Sequence, residues 1–398
     1  MRIVIPIHSF EPGGVERVAL RLAASWQAGG AEVTVVLGRE EGAGRIAEAA
    51  GLTYRVYRSW VRTGAFETLW MIICLYRYLN RETADVLFCP GNTYTVVAAA
   101  MRLLLGRRCP PTVAKISNDL RRTDLPAPAR LAYRLWTRAH GLFIDHFVAL
   151  AEPMAPEIVE ETGVDRGRVS VIPDPALSEA EFASLAAIER RPCPRDGALL
   201  LGVGRLVGQK DFALLLRAFA AHAPGQDRLL IAGEGPERPR LERLAATLGI
   251  ASRVTFAGHC DDVPALLREA DVFALSSAYE GVPAAIVEAL SAGMPIVATD
   301  CSGSIGWLTG FGRDGIVVPP GDVEALGRAL RNIRDLPPPT AEGRLRAARF
   351  TLERGAGSYL AVFALALEAR RSGGGRASAA SSPSPAKAGL KPPVTPAP

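Results

Sequence analysis

Residues 272–300 read Val272-Phe-Ala-Leu-Ser-Ser-Ala-Tyr-Glu280-Gly-Val-Pro-Ala-Ala-Ile-Val-Glu288-Ala-Leu-Ser-Ala-Gly-Met-Pro-Ile-Val-Ala-Thr-Asp300. The apolar runs Val272–Leu275 and Ile296–Ala298 predict buried strands, and the pattern over Ala284–Ala292 predicts a helix between them. Two strands joined through a helix run parallel. The stretch therefore predicts one strand–helix–strand unit of a parallel sheet.

Two acids, Glu280 and Glu288, bracket the loop and the helix start within this unit, with seven residues between them. If the helix begins near Pro283, Glu280 lies in the loop before it and Glu288 in its second turn. A proline at the first helical position and the free amides beside it make a natural anion site. Both acids could then hold one ligand; equally, they could be a loop acid and a surface glutamate.

The same alternation of short apolar runs and amphipathic segments extends over most of the chain, which predicts parallel sheets covered by helices on both faces. We therefore predict an α/β protein with two tandem Rossmann-like, doubly wound domains facing a cleft. Ligands are expected at the carboxyl ends of the strands. The predicted strands are Ile3–Ile7, Val33–Leu37, Val86–Cys89, Val113–Ile116, Phe147–Leu150, Val169–Ile172, Leu199–Val203, Leu229–Ala232, Val254–Phe256, Val272–Leu275, Ile296–Ala298 and Ile316–Val318.

Composition changes mark the predicted boundaries. A polar, proline-containing stretch after Pro173-Asp174-Pro175 separates a first domain, 1–178, from a second, 195–352. A helix over 353–371 is predicted to pack back across the domains. From about Ser372 the chain is rich in Gly, Ser, Ala, Pro and Lys, so residues 372–398 are predicted to be a disordered tail.

Composition also excludes several classes of protein. The chain has 398 residues, 48% hydrophobic and 22% charged, with a formal net charge of +5, which is modest for a nucleic-acid binder. Its six cysteines are scattered without a Cys-x-x-Cys pair, so we expect a reducing, cytoplasmic location and no zinc site. No apolar stretch is long enough to span a membrane, and no secretory signal is visible.

A basic pair follows the first predicted strand of the second domain, in Gly202-Val-Gly-Arg205-Leu-Val-Gly-Gln-Lys210. Arginine binds phosphate oxygens through paired hydrogen bonds and lysine acts as a point charge, so Arg205 and Lys210 can grip a diphosphate at the rim of a cleft. A glycine-rich turn with solvated basic residues is the alternative.

Two further stretches end strands but are less specific. Gly233-Glu-Gly235-Pro allows close approach of the backbone to a ligand, and also an ordinary tight turn. Ala257-Gly-His-Cys-Asp-Asp262 is a plausible wall for a base, although turn chemistry explains it equally well.

In order and spacing, these four stretches resemble the retaining, nucleotide-sugar-dependent glycosyltransferases of family 4, which have the two-Rossmann B-type fold. The resemblance covers residues from about 2 to about 370. Its strongest blocks are Val203–Lys210, Gly233–Glu242 and Glu280–Asp300, with weaker support from Asp314–Asp322 and Val169–Pro175.

The resemblance implies roles for particular residues. Arg205 and Lys210 would hold the donor diphosphate, Glu280 the donor-sugar hydroxyls, and Glu288 the nucleotide ribose. In the first domain, Glu11-Pro-Gly13-Gly14-Val-Glu-Arg17 would be the glycine loop entering the first helix, near sugar and acceptor. Expected catalytic residues are Arg205, Lys210 and Glu280; expected substrate-binding residues are Gly13, Gly14, Asn118, Gly204, Gly233, Gly235, Gly281, Val282, Pro283, Ala284 and Glu288.

The chain departs from the family pattern at two places. Many members carry a sugar-contacting histidine where this chain reads Lys115-Ile-Ser117-Asn118-Asp, so Ser117 or Asn118 would stand in its place. The glycine-and-acid pattern after the sheet is also altered, at Cys301–Gly306. His8, at the end of the first strand, could face the cleft or be a buried, hydrogen-bonded structural histidine.

The resemblance predicts transfer of a sugar from a UDP- or GDP-sugar to a glycan or polyprenyl-linked acceptor, without metal or other cofactor. Without a metal cluster or a carboxylate spaced as nucleophile, catalysis would rest on stabilising the leaving diphosphate. Alternatives are a phosphorylase or epimerase of the same fold, and a non-catalytic sugar-nucleotide-binding scaffold. A dehydrogenase is disfavoured because Gly202-Val-Gly-Arg-Leu-Val207 lacks the third glycine of a dinucleotide fingerprint.

Residues 102–138 are basic, with apolar and aromatic residues interleaved. This segment could contact an anionic membrane, consistent with a protein peripheral to the inner face of the cell membrane, or could be ordinary solvated helix surface. Its basic residues are Arg102, Arg107, Arg108, Lys115, Arg121, Arg122, Arg130, Arg134 and Arg138, and its acids are Asp119 and Asp124.

Overall fold

The computed structural model describes residues 1–10, 14–42, 49–59, 63–118, 120–121, 126–194, 197–223, 225–260, 262–335 and 340–372. Gly13, Asp119, Arg122, Asp124 and the predicted tail from 373 onward lie outside these residues.

Within the described residues, the first domain is a parallel sheet of seven strands with helices on both faces. Buried apolar side chains on each face of the strands form two cores. The elements are β1 (Arg2–Ile7), α1 (Gly14–Ala28), β2 (Glu32–Leu37), β3 (Thr53–Val56), α2 (Glu67–Leu79), β4 (Val86–Cys89), α3 (Tyr94–Leu105), β5 (Thr112–Ile116), α4 (Ala127–Phe143), β6 (His146–Ala149), α5 (Met154–Thr162) and β7 (Val169–Val171).

The second domain repeats the plan with a six-stranded parallel sheet and two cores of its own. Its elements and the helices that flank it are α6 (Glu179–Ala186), β8 (Leu199–Val203), α7 (Phe212–His222), β9 (Arg228–Ala232), α8 (Arg238–Thr247), β10 (Val254–Gly258), α9 (Val263–Glu269), β11 (Val272–Leu275), α10 (Ala284–Ser291), β12 (Ile296–Thr299), α11 (Gly303–Leu308), β13 (Gly315–Val318), α12 (Val323–Asn332), α13 (Ala341–Ala347) and α14 (Leu352–Arg371). The predicted fold class, two parallel-sheet Rossmann-like domains, is confirmed.

The strand orders locate a switch point in each sheet. The first sheet runs β3-β2-β1-β4-β5-β6-β7 and the second β10-β9-β8-β11-β12-β13. The chain therefore reverses its winding between β1 and β4, and again between β8 and β11. In open α/β sheets, a crevice for ligands forms at the carboxyl ends of the strands at such points.

Helix α14 returns to the first domain and packs on α1. Trp26 of α1 and Phe88 of β4 meet Tyr359 and Phe363 of α14, with ring centroids 5.1 to 5.8 Å apart. Trp26 also donates a hydrogen bond from Nε1 to the carbonyl oxygen of Ala356 at 3.0 Å. Folding of the last described helix is thereby coupled to the first domain.

Some elements differ from the predicted pattern. The sequence predicted neither β3, which lies partly exposed at the sheet edge, nor α5. Helix α6 occupies part of the predicted linker, and its N-terminus carries a capping box between Ser178 and Glu181. Pro283 is the residue that caps α10, not its first helical residue.

Candidate active site

The loops after β8 and β11 lie side by side because these two strands are neighbours in the second sheet. Besides the contact between Lys210 and Glu280, three hydrogen bonds to backbone carbonyl oxygens join the loops. The Ala278 amide donates to the Gln209 carbonyl at 2.8 Å, and Gln209 Nε2 donates to the Tyr279 carbonyl at 3.0 Å. Ser276 Oγ donates to the Lys210 carbonyl at 2.9 Å. Residues 70 positions apart are thus held at one edge of the cleft.

Lys210 and Glu280 form an ion pair at this junction, through Nζ and Oε1. Ser277 Oγ donates to the same Glu280 oxygen at 2.7 Å, and the Glu280 amide donates to the Cys301 carbonyl at 3.1 Å. Only 8% of Glu280 is exposed. Burial, with repulsion from Glu280, raises the pKa of the Cys301 thiol to about 12, so this cysteine is no nucleophile at neutral pH.

Arg205 lies in the same loop as Lys210 but is not part of the ion pair. Its neighbours are anchored: the Gly204 amide donates to the Ala232 carbonyl at 3.0 Å, and the Leu206 amide to the Glu234 carbonyl at 2.8 Å. The Arg205 side chain is exposed and makes no hydrogen bond or ion pair within the described part of the chain. A fixed backbone and an uncommitted guanidinium suit an anionic ligand.

The glycines after β9 are explained by backbone packing. A Cβ atom on Gly233, where φ is +143°, would lie 1.9 Å from the Gly204 carbonyl oxygen. On Gly235 it would lie 2.4 Å from the Leu206 carbonyl oxygen. These two positions therefore exclude side chains whether or not a ligand binds, and they shape the loop that carries Arg205.

Glu288 occupies a different environment from Glu280. It is half-buried on α10, and its carboxylate makes no hydrogen bond or ion pair with the described residues. Burial raises the pKa of the Glu288 carboxyl above its ordinary value, against an opposing attraction from Arg17 and with repulsion from Glu181. A desolvated carboxylate without a hydrogen-bond partner is suited to accept a hydrogen bond from a hydroxyl group of a ligand.

The start of α10 faces the first domain. A Cβ atom on Gly281 would lie 2.0 Å from the Ser117 carbonyl oxygen, so only glycine allows this approach. Val282 packs against a core of each domain, and Ser302 Oγ donates to the Gly281 carbonyl at 2.7 Å. The amide of Ala284, at the exposed first position of α10, has no carbonyl partner within its own helix.

The first-domain side of the cleft is built around Asn92. Its Oδ1 accepts a hydrogen bond from the Ser117 amide at 2.7 Å, and its Nδ2 donates to the Asn118 carbonyl at 3.3 Å. The loop of Ser117 and Asn118 is thereby held against Gly281. Gly14 begins α1 and is exposed, and a Cβ atom there would meet nothing within 4 Å, while Gly13 lies outside the described residues.

His8 is a buried residue behind this rim. Its ring stacks on Tyr94 with centroids 4.6 Å apart, and its amide donates to Tyr94 Oη at 3.1 Å. Burial lowers the pKa of His8 below its ordinary value, so the ring is neutral at pH 7. Stacking and burial agree with a structural histidine, but neither ring nitrogen has a hydrogen-bond partner among the described residues, so the expected hydrogen-bonded role is not shown.

Sequence reasoning missed the residues that position the site: Ser277, Gln209 and Asn92. Ser277 stands three residues before Glu280, which is the only signal that could have singled it out. The other two act through loops that come together only when the strands pair. Among the described residues, no group of three or more His, Cys, Asp or Glu is arranged to hold a metal ion.

Comparisons with known proteins identify the family. The profile described as Glycosyltransferase Family 4 matches residues 12–175, and that described as Glycosyl transferases group 1 matches residues 197–335. One profile falls on each domain. The chain belongs to the glycosyltransferases of the B-type fold.

Individual relatives agree with this glycosyltransferase assignment. The lipopolysaccharide core biosynthesis glycosyltransferase LpsD of Rhizobium meliloti is 28% identical over 84% of this chain and 88% of its own length. LpsE of the same organism is 38% identical, over 35% of this chain and 40% of its own length, so the chain spans less than half of that relative. HepE from Anabaena, solved with UDP and glucose, has the same fold, with a TM-score of 0.69, 20% identity, and coverage of 92% of this chain and 99% of HepE.

Proposed function

We propose that this glycosyltransferase moves a sugar from a UDP- or GDP-sugar to a glycan or polyprenyl-linked acceptor, with retention of configuration at the anomeric carbon. The observation that carries the proposal is the Lys210–Glu280 ion pair at the switch point between β8 and β11, in the loop that also carries the exposed Arg205. Structures of HepE hold UDP and UDP-glucose, which supports a nucleotide-sugar donor.

The cleft offers separate groups for each part of such a donor. Arg205 and Lys210 would meet the diphosphate, with the free amides at the start of α10 adding positive dipole. Glu280, held by Ser277, would accept hydrogen bonds from sugar hydroxyls. Glu288 would accept hydrogen bonds from the ribose.

Catalysis would depend on the leaving group. When the bond between the anomeric carbon and the phosphate oxygen breaks, its electron pair remains on the diphosphate. Arg205 and Lys210 would stabilise that charge without reorganisation. The acceptor oxygen then bonds to the anomeric carbon from the same face, and its proton passes to the departing phosphate oxygen. No protein nucleophile is required in this sequence of steps.

The proposed acceptor also bears on where in the cell the protein acts. We propose a cytoplasmic protein peripheral to the inner face of the cell membrane, acting in biosynthesis of bacterial cell-surface polysaccharide or glycolipid. The names of LpsD and LpsE, both lipopolysaccharide core enzymes, support this assignment. Among the described helices, none is long and apolar enough to cross a membrane.

Thermal unfolding against a panel of UDP- and GDP-sugars tests the donor proposal. A donor present at about 100 times its dissociation constant adds about 2.7 kcal/mol of stability. We expect a rise in Tm with sugar nucleotides of one base and none with the free sugar. A shift with sugar 1-phosphate alone would favour a phosphorylase, and no shift with any donor would contradict both the donor proposal and a sugar-nucleotide-binding scaffold. Proton NMR of the product then reports whether configuration is retained.

A further inference from the structure

The C-terminal end of α3, the turn 106–108 and α4 are basic and rich in leucine. Residues 94–108 and 127–143 together contain no aspartate or glutamate, while they hold six arginines and several leucines. Helix α4 is exposed along most of its length. An unbalanced positive charge therefore lies on an open surface.

Five leucines project from this surface into solvent. They are between 57% and 78% exposed, which places them among the most exposed large apolar side chains described. Leaving so much apolar surface in contact with water is unfavourable, and contiguous exposure of this kind marks interaction sites. The five are Leu103, Leu104, Leu131, Leu135 and Leu142.

The leucines of α4 lie on one face of the helix. With 3.6 residues per turn, Leu131, Leu135 and Leu142 fall within about 40° of one another around the axis. Arg102 of α3 donates from Nε to the Phe143 carbonyl at 3.4 Å, so the α3 leucines lie near the end of α4 that carries Leu142. The five leucines consequently belong to one surface.

Some arginines of this surface form ion pairs with carboxylates and others do not. Arg102 is ion-paired with Asp145, and Arg134 lies 3.4 Å from a Glu161 carboxylate oxygen. Arg107, Arg108 and Arg130 are exposed and make no ion pair with a carboxylate within the described residues.

Two other basic residues of the predicted segment contribute less to this surface than the sequence count implied. Lys115 is only 1% exposed and pairs with Asp174 at 2.9 Å, because it lies on a central strand, so it cannot contribute to a surface. Arg121 pairs with Glu160. The positive charge is therefore concentrated on the turn 106–108 and on α4.

From this surface we infer that the first domain docks on an anionic lipid bilayer through α3 and α4. Leucines would enter the boundary between headgroups and acyl chains while arginines meet lipid phosphates. A nucleic acid would use the arginines and leave the leucines in water. A purely solvated helix face would not carry three leucines in one stripe.

Docking in this way would also orient the cleft. Helix α4 follows the cleft loop that contains Asn118 and ends beside Asp145, directly before β6. Its 17 residues span about 25 Å, from the carboxyl ends of the strands, where the cleft lies, to their amino ends. A bilayer along this side would hold the cleft mouth at the lipid surface, where a lipid-linked acceptor would present its headgroup; this orientation rests on the acceptor class proposed above.

Sedimentation of the full chain with vesicles tests the proposal without donor or acceptor, so its outcome does not depend on transferase activity. Phosphatidylcholine vesicles are compared with vesicles that contain equal parts phosphatidylcholine and phosphatidylglycerol. We expect sedimentation with the second only, weakened by added salt because exposed charges are screened.

Paired variants then separate the two contributions. Arg107→Gln/Arg108→Gln should weaken partitioning about thirtyfold, since each surface arginine contributes about 1 kcal/mol and 1.4 kcal/mol is tenfold. Leu131→Ser/Leu135→Ser should weaken it at least about tenfold. Matched controls on the rest of the molecule, Arg228→Gln/Arg243→Gln and Leu345→Ser/Leu365→Ser, should bind as the wild type, because they change equally exposed residues.

Three results would overturn the proposal. The wild type could fail to bind anionic vesicles, or the α4 and arginine variants could bind as it does. The third is a wild-type dimer that the leucine variants convert to monomer in sedimentation velocity, without any vesicle binding. That outcome would assign the surface to a second copy of the chain. Unchanged Tm values in all variants show that folding is not the cause of any loss.

Discussion

Glu280 lies in the loop before α10 and Glu288 lies within α10. The two carboxylates differ in burial and in their hydrogen-bond partners. Glu280 is buried and already bonded, to Lys210 and to Ser277. Glu288 is half-buried, its pKa is raised by burial, and its carboxylate has no hydrogen bond within the described residues. Partners offset the free energy cost of burying the Glu280 carboxylate before any ligand binds. A buried carboxylate without partners, such as that of Glu288, lowers the stability of the fold until a ligand supplies a hydrogen bond.

The difference suggests a division of labour in the cleft. In the proposed reaction, the Glu280 end, together with Arg205, would face the part of the donor where charge changes. It is held in place before the ligand binds, as electrostatic catalysis requires. The Glu288 end would contribute binding affinity alone. Substitutions at the two ends should therefore have separable effects on turnover, on stability and on affinity.

The largest effect is expected for Arg205→Ala. Removal of one preorganised group that stabilises developing charge typically lowers kcat at least about a hundredfold. The side chain is exposed and unbonded within the described residues, so Tm should not change. Steady-state release of nucleoside diphosphate measures this, with Arg228→Ala as a matched exposed control. Near-normal kcat would show that Arg205 does not stabilise the leaving group.

The next largest effect is expected for Gly281→Ala. Its Cβ atom would lie 2.0 Å from the Ser117 carbonyl oxygen, so the two domains must move apart at the cleft. Small displacements of reacting groups cost up to about a hundredfold in rate, and we expect a loss of kcat between about tenfold and a hundredfold. Gly357→Ala, where a Cβ atom meets nothing within 4 Å, is the control. Equal kcat for both variants would contradict the closed arrangement.

Breaking the Lys210–Glu280 pair should change stability. Lys210→Met leaves a buried carboxylate with one hydrogen bond, and we expect the free energy of unfolding to fall by about 2 kcal/mol. Glu280→Gln should cost less, because Lys210 is 20% exposed and can be hydrated. Urea unfolding of both single variants and the double variant gives the coupling energy. Strict additivity would mean that the pair contributes nothing to the fold.

The smallest effect, and one of opposite sign, is expected for Glu288→Gln. Its folded-state pKa is raised, so the ionised carboxylate destabilises the fold at neutral pH, and this cost disappears as pH falls below the ordinary glutamate value. The variant should be more stable by up to about 1 kcal/mol at pH 7 and no more stable than the wild type at pH 4. Urea unfolding at both values measures this. A Glu288→Gln variant less stable than wild type at pH 7 would contradict the assignment.

Much of the fold could be predicted because its signal is local. Buried parallel strands are continuous apolar runs, so β4, β8 and β11 were predicted with their observed bounds. The edge strand β3 was missed because its residues are mostly exposed or half-buried and carry no such run. Helix α6 was missed because its polar residues resemble a linker.

The candidate site could be predicted only in part, because partnerships depend on strand pairing. Arg205, Lys210 and Glu280 were found from their places after strands. The ion pair between Lys210 and Glu280 joins residues 70 positions apart and exists because β8 and β11 are neighbours. The burial of Lys115 depends equally on the sheet, so a sequence count of basic residues overstates the charge available on the surface.

Calorimetric titration with UDP and GDP tests the central claim, that the junction of the β8 and β11 loops holds a nucleoside diphosphate. We expect saturable binding of one of the two nucleotides by the wild type. Binding should be weakened about tenfold or more in Arg205→Ala, since a hydrogen bond to a charged group contributes about 1.5 to 3 kcal/mol. Arg228→Ala should bind as the wild type. Absence of binding to either nucleotide, or equal binding by Arg205→Ala, would contradict this claim.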